Sequence, residues 1–209
     1  MNRGEAAIAA LVAAADDYLA GHTGEGIDAV RAGIAAAEGP VAPCDASNAV
    51  CDAFLPVALE ALHADEPGLA MAIGAAAPFL QWITYDLYDP ERIGESFRTG
   101  HAFAQLLRAT DFDLGIFLIA PQVLYRDHAH PAPELYAPLT GPHGWRFGPG
   151  EPLVLRPAHQ PVWNLPHQPH LTKVGAVPFL AIYGWTRDSG APAYVLPAAD
   201  WASLEALRL

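Results

Sequence analysis

Residues 125–136 read Tyr125-Arg-Asp-His128-Ala-His130-Pro-Ala-Pro-Glu134-Leu-Tyr136. His128 and His130 are two apart, so on an extended strand both imidazoles face one side. Glu134 and Tyr136 share a side by the same rule, and Pro131 and Pro133 between the pairs bend the chain so that the two pairs converge. Two imidazoles and a carboxylate hold a first-row transition metal and leave positions open for substrate. A third imidazole would complete a four-ligand protein shell, and the run Pro166-His167-Gln-Pro-His170 offers two candidates. Nine histidines produce some close pairs by accident, and a lone His-x-His says little. The glutamate, the distal histidine and a β-rich setting are what favour a metal here. His143 and His159 lack this company and are expected in turns or on the surface.

The elements that must position these residues differ between the two halves of the chain. In the first half, Ile8, Leu11, Val12, Ala15 and Leu19 recur at helical spacing, with Gly21 as a stop. Ile27, Val30 and Ile34 mark a second helix closed by Gly39-Pro40. A third is expected from Phe54 to Leu62, with Pro56 in its first turn. Leu69 to Ile83 is apolar and helix-like, interrupted by Gly74 and Pro78, and a further helix is expected around Phe97 to Leu107. From about Asp113 the texture changes. Short runs rich in β-formers alternate with glycine and proline: 114–119, 135–139, 145–147, 153–155, 162–165, 171–174 and 177–185. Strands this short and evenly spaced read as a sandwich or barrel. The expected organisation is α+β, with a helical region over residues 1–112 and a β-barrel over 113–209.

Composition narrows the function classes. The chain has 209 residues, 52% of them apolar and 16% charged, which suits a globular protein with a sizeable core. A formal charge of −12 disfavours nucleic acid or an anionic membrane as partner. Cys44 and Cys51 lie in a helix-like stretch without metal-finger spacing and are expected to be reduced thiols. Glu5, Asp16 and Asp17 interrupt the alanine-rich start, so no signal peptide is expected, and no apolar run reaches the length of a membrane span. A cytoplasmic location is expected, and a homodimer is left open.

Taken together, His-x-His-x3-Glu, then Gly141 and a distal histidine, resemble the metal site of the cupins. The closer resemblance is to the bacterial dimethylsulfoniopropionate (DMSP) lyase group of small cupins, in which a helical N-terminal part precedes the barrel. That family carries a Tyr-x-x-His-x-His-x3-(Glu or His)-x-Tyr segment, matched here by Tyr125, His128, His130, Glu134 and Tyr136. The likeness continues through Leu139-Thr-Gly141, Trp145, Pro166-x-x-x-His170 and Pro178-Phe-Leu-Ala-Ile-Tyr183-Gly-Trp185. Upstream it takes in Trp82-Ile-Thr-Tyr85 and the stretch from Phe97 to Phe103, so that it covers roughly residues 80–188. The spacing Pro-x-x-x-His favours His170 over His167 as the fourth ligand. One departure is the run after Pro166, His-Gln-Pro-His-Leu-Thr-Lys-Val, where a small-residue and arginine run is more typical.

The resemblance implies a double-stranded β-helix holding one divalent transition metal, Fe(II) favoured, with Zn(II), Mn(II), Ni(II) and Co(II) also compatible with mixed N/O ligands. It implies a small zwitterionic or carboxylate substrate, cleaved by β-elimination to acrylate and dimethyl sulfide. Tyr136, two residues after a ligand and on its side of the strand, is the expected base, since a neighbouring cation favours the phenolate. Tyr125 is the alternative base or a substrate-orienting hydroxyl. The sulfonium end is expected to prefer aromatic faces to a carboxylate, with Trp82, Tyr85, Trp163, Tyr183 and Trp185 as candidates. Two other readings keep the fold: a cupin dioxygenase or isomerase acting on another small carboxylate, and a non-enzymatic ligand-binding cupin.

Overall fold

The computed structural model describes residues 2–85 and 88–209. Four helices come first: α1 (Arg3–Ala20), α2 (Glu25–Ala36), α3 (Ala49–His63) and α4 (Pro67–Ala76). The Asn2 side chain and Glu5 form a reciprocal cap on α1, and Gly21 closes it. Helix α3 begins five residues before the expected Phe54, because the Asn48 side chain accepts from the Val50 and Cys51 N–H groups. Pro56 therefore lies inside the helix and not in its first turn. It sits on the exposed side, where water can reach the carbonyl that proline leaves unpaired. Cys51 is buried in α3 and Cys44 lies in the preceding loop, both as free thiols.

Two short helices follow, α5 (Pro90–Ile93) and α6 (Glu95–Thr99), and then the strands begin. The expected helix over Phe97 to Leu107 is corrected here: α6 ends at Gly100, and His101–Ala109 forms β1, paired antiparallel with β2 (Phe112–Ile119). Alanine, leucine, glutamine and arginine favour a helix over this stretch, but pairing with β2 overrides the local preference. The sheets thus start before residue 113. The other strands are β3 (Leu124–Ala129), β4 (Glu134–Pro138), β5 (His143–Arg146), β6 (Val154–Arg156), β7 (Val162–Asn164), β8 (His170–Lys173), β9 (Phe179–Trp185) and β10 (Tyr194–Val195). A last helix, α7 (Trp201–Ala206), closes the described chain.

The strands form two five-stranded antiparallel sheets, ordered β1-β2-β9-β4-β7 and β10-β3-β8-β5-β6. This is the double-stranded β-helix of the cupins. The first sheet is covered on both sides. Leu114, Ile116 and Leu118 of β2, Leu135 and Ala137 of β4, and Leu180 and Ile182 of β9 point outward into a core shared with Ile8, Leu11, Val30, Leu55 and Ile73 of the helices. Val30 rests directly on Gly184, where a Cβ would stand 2.5 Å from one of its methyls. Alternate residues point into the barrel: Phe117 of β2, Tyr136 of β4, and Phe179, Ala181 and Tyr183 of β9. Burial on both faces replaces polar alternation with near-continuous apolar runs. No helix among the described residues is long and apolar enough to cross a membrane.

Candidate metal centre and its cavity

Three histidines converge inside the barrel. His128 lies on β3 and His170 on β8, directly opposite each other in the ladder, and His130 follows the end of β3. Their ligating nitrogens all lie within 4.8 Å of one another, and all three residues are buried. In each, Nδ1 lies against a backbone carbonyl: Arg126 for His128 (2.8 Å), Ala132 for His130 (2.8 Å) and Gln168 for His170 (2.9 Å). A carbonyl can only accept, so Nδ1 carries a proton in each and Nε2 is left to face the common centre. Nε2 of His128 and of His170 are buried and make no hydrogen bond.

Glu134, at the start of β4, reaches the same centre. Its Oε2 lies 3.0 Å from Nε2 of His130 and 3.2 Å from Nε2 of His170, the second contact without hydrogen-bond geometry. Its Oε1 accepts from the Trp185 indole N–H at 2.6 Å. Burial alone would raise the Glu134 carboxyl, but the charge and hydrogen bond of His130 outweigh it and hold Glu134 well below the usual carboxylate range. His130 shows the counterpart, raised by Glu134 against the effect of its own burial. His128 is driven well down by burial and then by its histidine neighbours. Unpaired Nε2 atoms of His128 and His170, beside an ionised Glu134 paired with His130, with Nδ1 of all three rings committed to a carbonyl, are a donor set that fits a divalent transition metal. His167 stays outside. It is exposed in a turn at φ +58°, with Nδ1 3.1 Å from the Tyr194 hydroxyl.

A stack of rings braces the centre from one side. Phe97 lies between His101 and Tyr125, each at 3.9 Å and 9°, and Tyr125 in turn covers His128 at 3.8 Å and 18°. The Tyr125 and Tyr88 hydroxyls share a hydrogen bond of 2.6 Å.

The centre opens into a cavity of about 190 Å³, into which His130 and Glu134 project. Its walls include both expected tyrosines, Tyr125 and Tyr136, and three of the five expected aromatics, Tyr85, Tyr183 and Trp185. Trp82 and Trp163 are corrected: neither lines it. Trp82 is 4% exposed in the core between helices and sheet, its indole N–H donating to the Ala77 carbonyl. Trp163 is in register with outward-facing Leu135 and packs against α2 at Gly26. Burial pushes the Tyr136 phenol well above its ordinary range, and the neighbouring Glu134 charge adds to the effect. A cation beside it would act in the opposite direction.

Sequence reasoning passed over Tyr88, Gln105 and Asp113, which also line the cavity. Asp113 left one trace, a lone carboxylate at the head of an apolar strand. His143 is corrected too. It is buried at the start of β5, with Nδ1 accepting from the Gly175 N–H, and is neither exposed nor in a turn.

The sequence pattern of the dimethylsulfoniopropionate (DMSP) lyase family matches residues 27–181. In fold, the chain is similar to the crystal structure of DMSP lyase DddQ from Ruegeria pomeroyi DSS-3, at 20% identity and a TM-score of 0.66, over 91% of this chain and 96% of that one. It is also similar to a structure described with the DMSP lyases RdDddP and RnDddQII, at 21% identity and a TM-score of 0.62, over 93% and 100% of the two chains. No curated protein matches it. A family pattern spanning most of the chain, on a cupin barrel with a buried three-histidine centre, shows that this protein belongs to the DMSP lyase family and is a lyase.

Proposed function

We propose that this protein cleaves DMSP to acrylate and dimethyl sulfide in the cavity beside the histidine centre, with Tyr136 as the base. The observation that carries the reading is the common inward face of β4. Glu134 at the centre and Tyr136 in the cavity wall are two residues apart on one strand, so the proton acceptor and one proposed ligand are held by the same rigid element. His128, His130, Glu134 and His170 would hold one divalent ion, Fe(II) favoured among those the donor set accepts. When bound, the ion supplies Lewis acidity toward the substrate carboxylate, easing charge that develops at the adjacent carbon.

The remaining steps belong to the chain. Tyr136, as phenolate, takes the proton from the carbon next to the carboxylate. The released electron pair forms the carbon–carbon double bond as the carbon–sulfur bond breaks. Neutral dimethyl sulfide leaves with its lone pair, acrylate keeps its charge, and the phenol returns its proton to water. No general acid is needed at the leaving group, which agrees with a cavity wall built mainly from aromatic rings. Tyr125, with its hydroxyl held by Tyr88, orients the substrate. Tyr85, Tyr183 and Trp185 exclude water and present π faces to the sulfonium.

The test is direct. Protein loaded with each of the five metals is given DMSP, with acrylate measured in solution and dimethyl sulfide in the headspace, with and without oxygen. Equal amounts of both products, formed without oxygen, are expected. Oxygen-dependent substrate loss would replace the lyase by an oxygenase, and no turnover with any metal would reject DMSP as the substrate.

A further inference from the structure

Asp113 stands where no apolar strand needs a carboxylate. It is the second residue of β2, faces into the barrel and lines the cavity. Two cavity-lining side chains hold it in place: the Gln105 amide donates to Oδ2 at 2.6 Å, and the Tyr183 hydroxyl donates to Oδ1 at 3.2 Å. The reach of Tyr183 toward Asp113 depends on Gly115, where a Cβ would stand 2.5 Å from the tyrosine ring. Gln105 is itself in register with Gly115, so three strands cooperate to aim one carboxylate.

The ladder registers set its distance from the histidine centre. Trp185 of β9 pairs with Asp113 of β2 on one side and with Glu134 of β4 on the other. The two carboxylates therefore lie on one face of the sheet, two strand spacings or roughly 10 Å apart at the backbone. Trp185 and Tyr183 form the floor between them, and each donates to one carboxylate. One end of this floor has the ligand set. The other has a fixed anion with no cationic partner in the cavity: no arginine or lysine lines the wall, and Arg108, across the ladder on the exposed end of β1, makes no ion pair with it among the described residues. Burial raises the Asp113 carboxyl, its two donors and Arg108 offsetting only part of that, so a cation arriving there meets a desolvated anion.

We infer that Asp113, held by Gln105 and Tyr183, is the specificity-determining residue that recognises the onium end of the substrate and selects zwitterions over carboxylates that lack a cationic end. The span of the floor accommodates a carboxylate head, a two-methylene spacer and an onium group lying end to end. The aromatic faces shape the pocket, and Asp113 supplies the charge. The inference rests on the reading of the cavity as a DMSP site.

The experiment compares two unreactive isosteres of DMSP on the metal-loaded protein by calorimetry. N,N-dimethyl-β-alanine carries a protonated amine where DMSP has its sulfonium, and isocaproate carries a neutral carbon there. The parent should bind the ammonium ligand at least about tenfold more tightly, and Asp113→Asn should remove most of that preference while leaving isocaproate affinity at the parental value. In turnover, the same variant should raise KM for DMSP more than it lowers kcat. No preference in the parent, or equal weakening of both ligands in a variant that melts like the parent, overturns the inference. The parental comparison alone keeps it refutable should the variant fail to fold. A parent that cleaves no DMSP, yet shows an onium preference that Asp113→Asn abolishes, sinks the substrate reading and leaves this inference standing. Cleavage of DMSP with the preference intact in Asp113→Asn does the reverse.

Discussion

The indole N–H of Trp185 donates to Oε1 of Glu134 at 2.6 Å, the shortest polar contact the carboxylate makes. With Oε1 so occupied, Oε2 is turned toward His130 and His170. Trp185 is thus both cavity wall and outer support of the proposed ligand set. Trp185→Phe keeps an aromatic ring and deletes the donor. Metal affinity, measured by chelator competition, should fall by about 10- to 100-fold, the usual effect of losing a group that orients a ligand. Unchanged affinity would show that the indole serves the cavity alone.

Metal content should follow the geometry of the four converging side chains. His130→Ala and Glu134→Ala should lose stoichiometric metal by elemental analysis while remaining folded, because neither side chain supports the helical core or the ladder. His170→Ala should do the same, whereas His167→Ala, in its exposed turn, should retain metal. Full occupancy in both His130→Ala and Glu134→Ala would dismiss the centre.

Acid should destabilise the fold through two histidines outside the proposed ligand set. His101 and His143 are buried, and burial lowers both to about 4. Each accepts a backbone N–H on one ring nitrogen, from Tyr85 and Gly175 respectively, so protonation would set a donor against a donor. In the unfolded chain these groups take up protons below about 6.5. In the folded chain they do not until about 4. Their contribution is therefore complete above about 6.5 and is lost as pH falls through that window, by up to about 1.4 kcal/mol per pH unit for each group. Urea melts of metal-stripped protein should show this slope, and His143→Gln should flatten it by one proton. A parallel slope in the variant would mean that His143 does not titrate differentially.

The legible parts of this structure are those whose signals are local. Helices α1 and α2 follow from the recurrence of Ile8, Leu11, Ile27 and Val30, and the two-residue spacing of His128 and His130 and of Glu134 and Tyr136 places each pair on one face. β1 was hidden because helix-forming residues there are held extended by β2, and burial on both faces erases the alternation that marks a strand. Residue type makes Trp82 and Trp163 candidates for the pocket, and only the packing of the helices on the outer face decides against them. His143, and the buried cations Arg146 and Lys173, gave no signal either. Arg146 is satisfied by Asp127 and Asp200, and Lys173 by the carbonyls of Gln122 and Glu205, partners that only tertiary contact brings together.

The two tyrosines flanking the metal motif should separate by role. Tyr136→Phe keeps the ring that packs against Phe117, Trp145 and Phe179, and removes only the hydroxyl facing the cavity. Fold and metal content should be unaltered, and DMSP cleavage should fall by at least roughly 10²-fold if the phenolate is the base. Tyr125→Phe likewise preserves the stack between Phe97 and His128, but leaves the Tyr88 hydroxyl without its 2.6 Å partner. The expected loss there is smaller and lies mainly in KM, because a displaced Tyr88 loosens the wall without removing the proton acceptor. Parental rates in Tyr136→Phe would reject this base. If Tyr125→Phe instead loses kcat while Tyr136→Phe keeps it, the two roles are exchanged, with proton abstraction moved from β4 to β3.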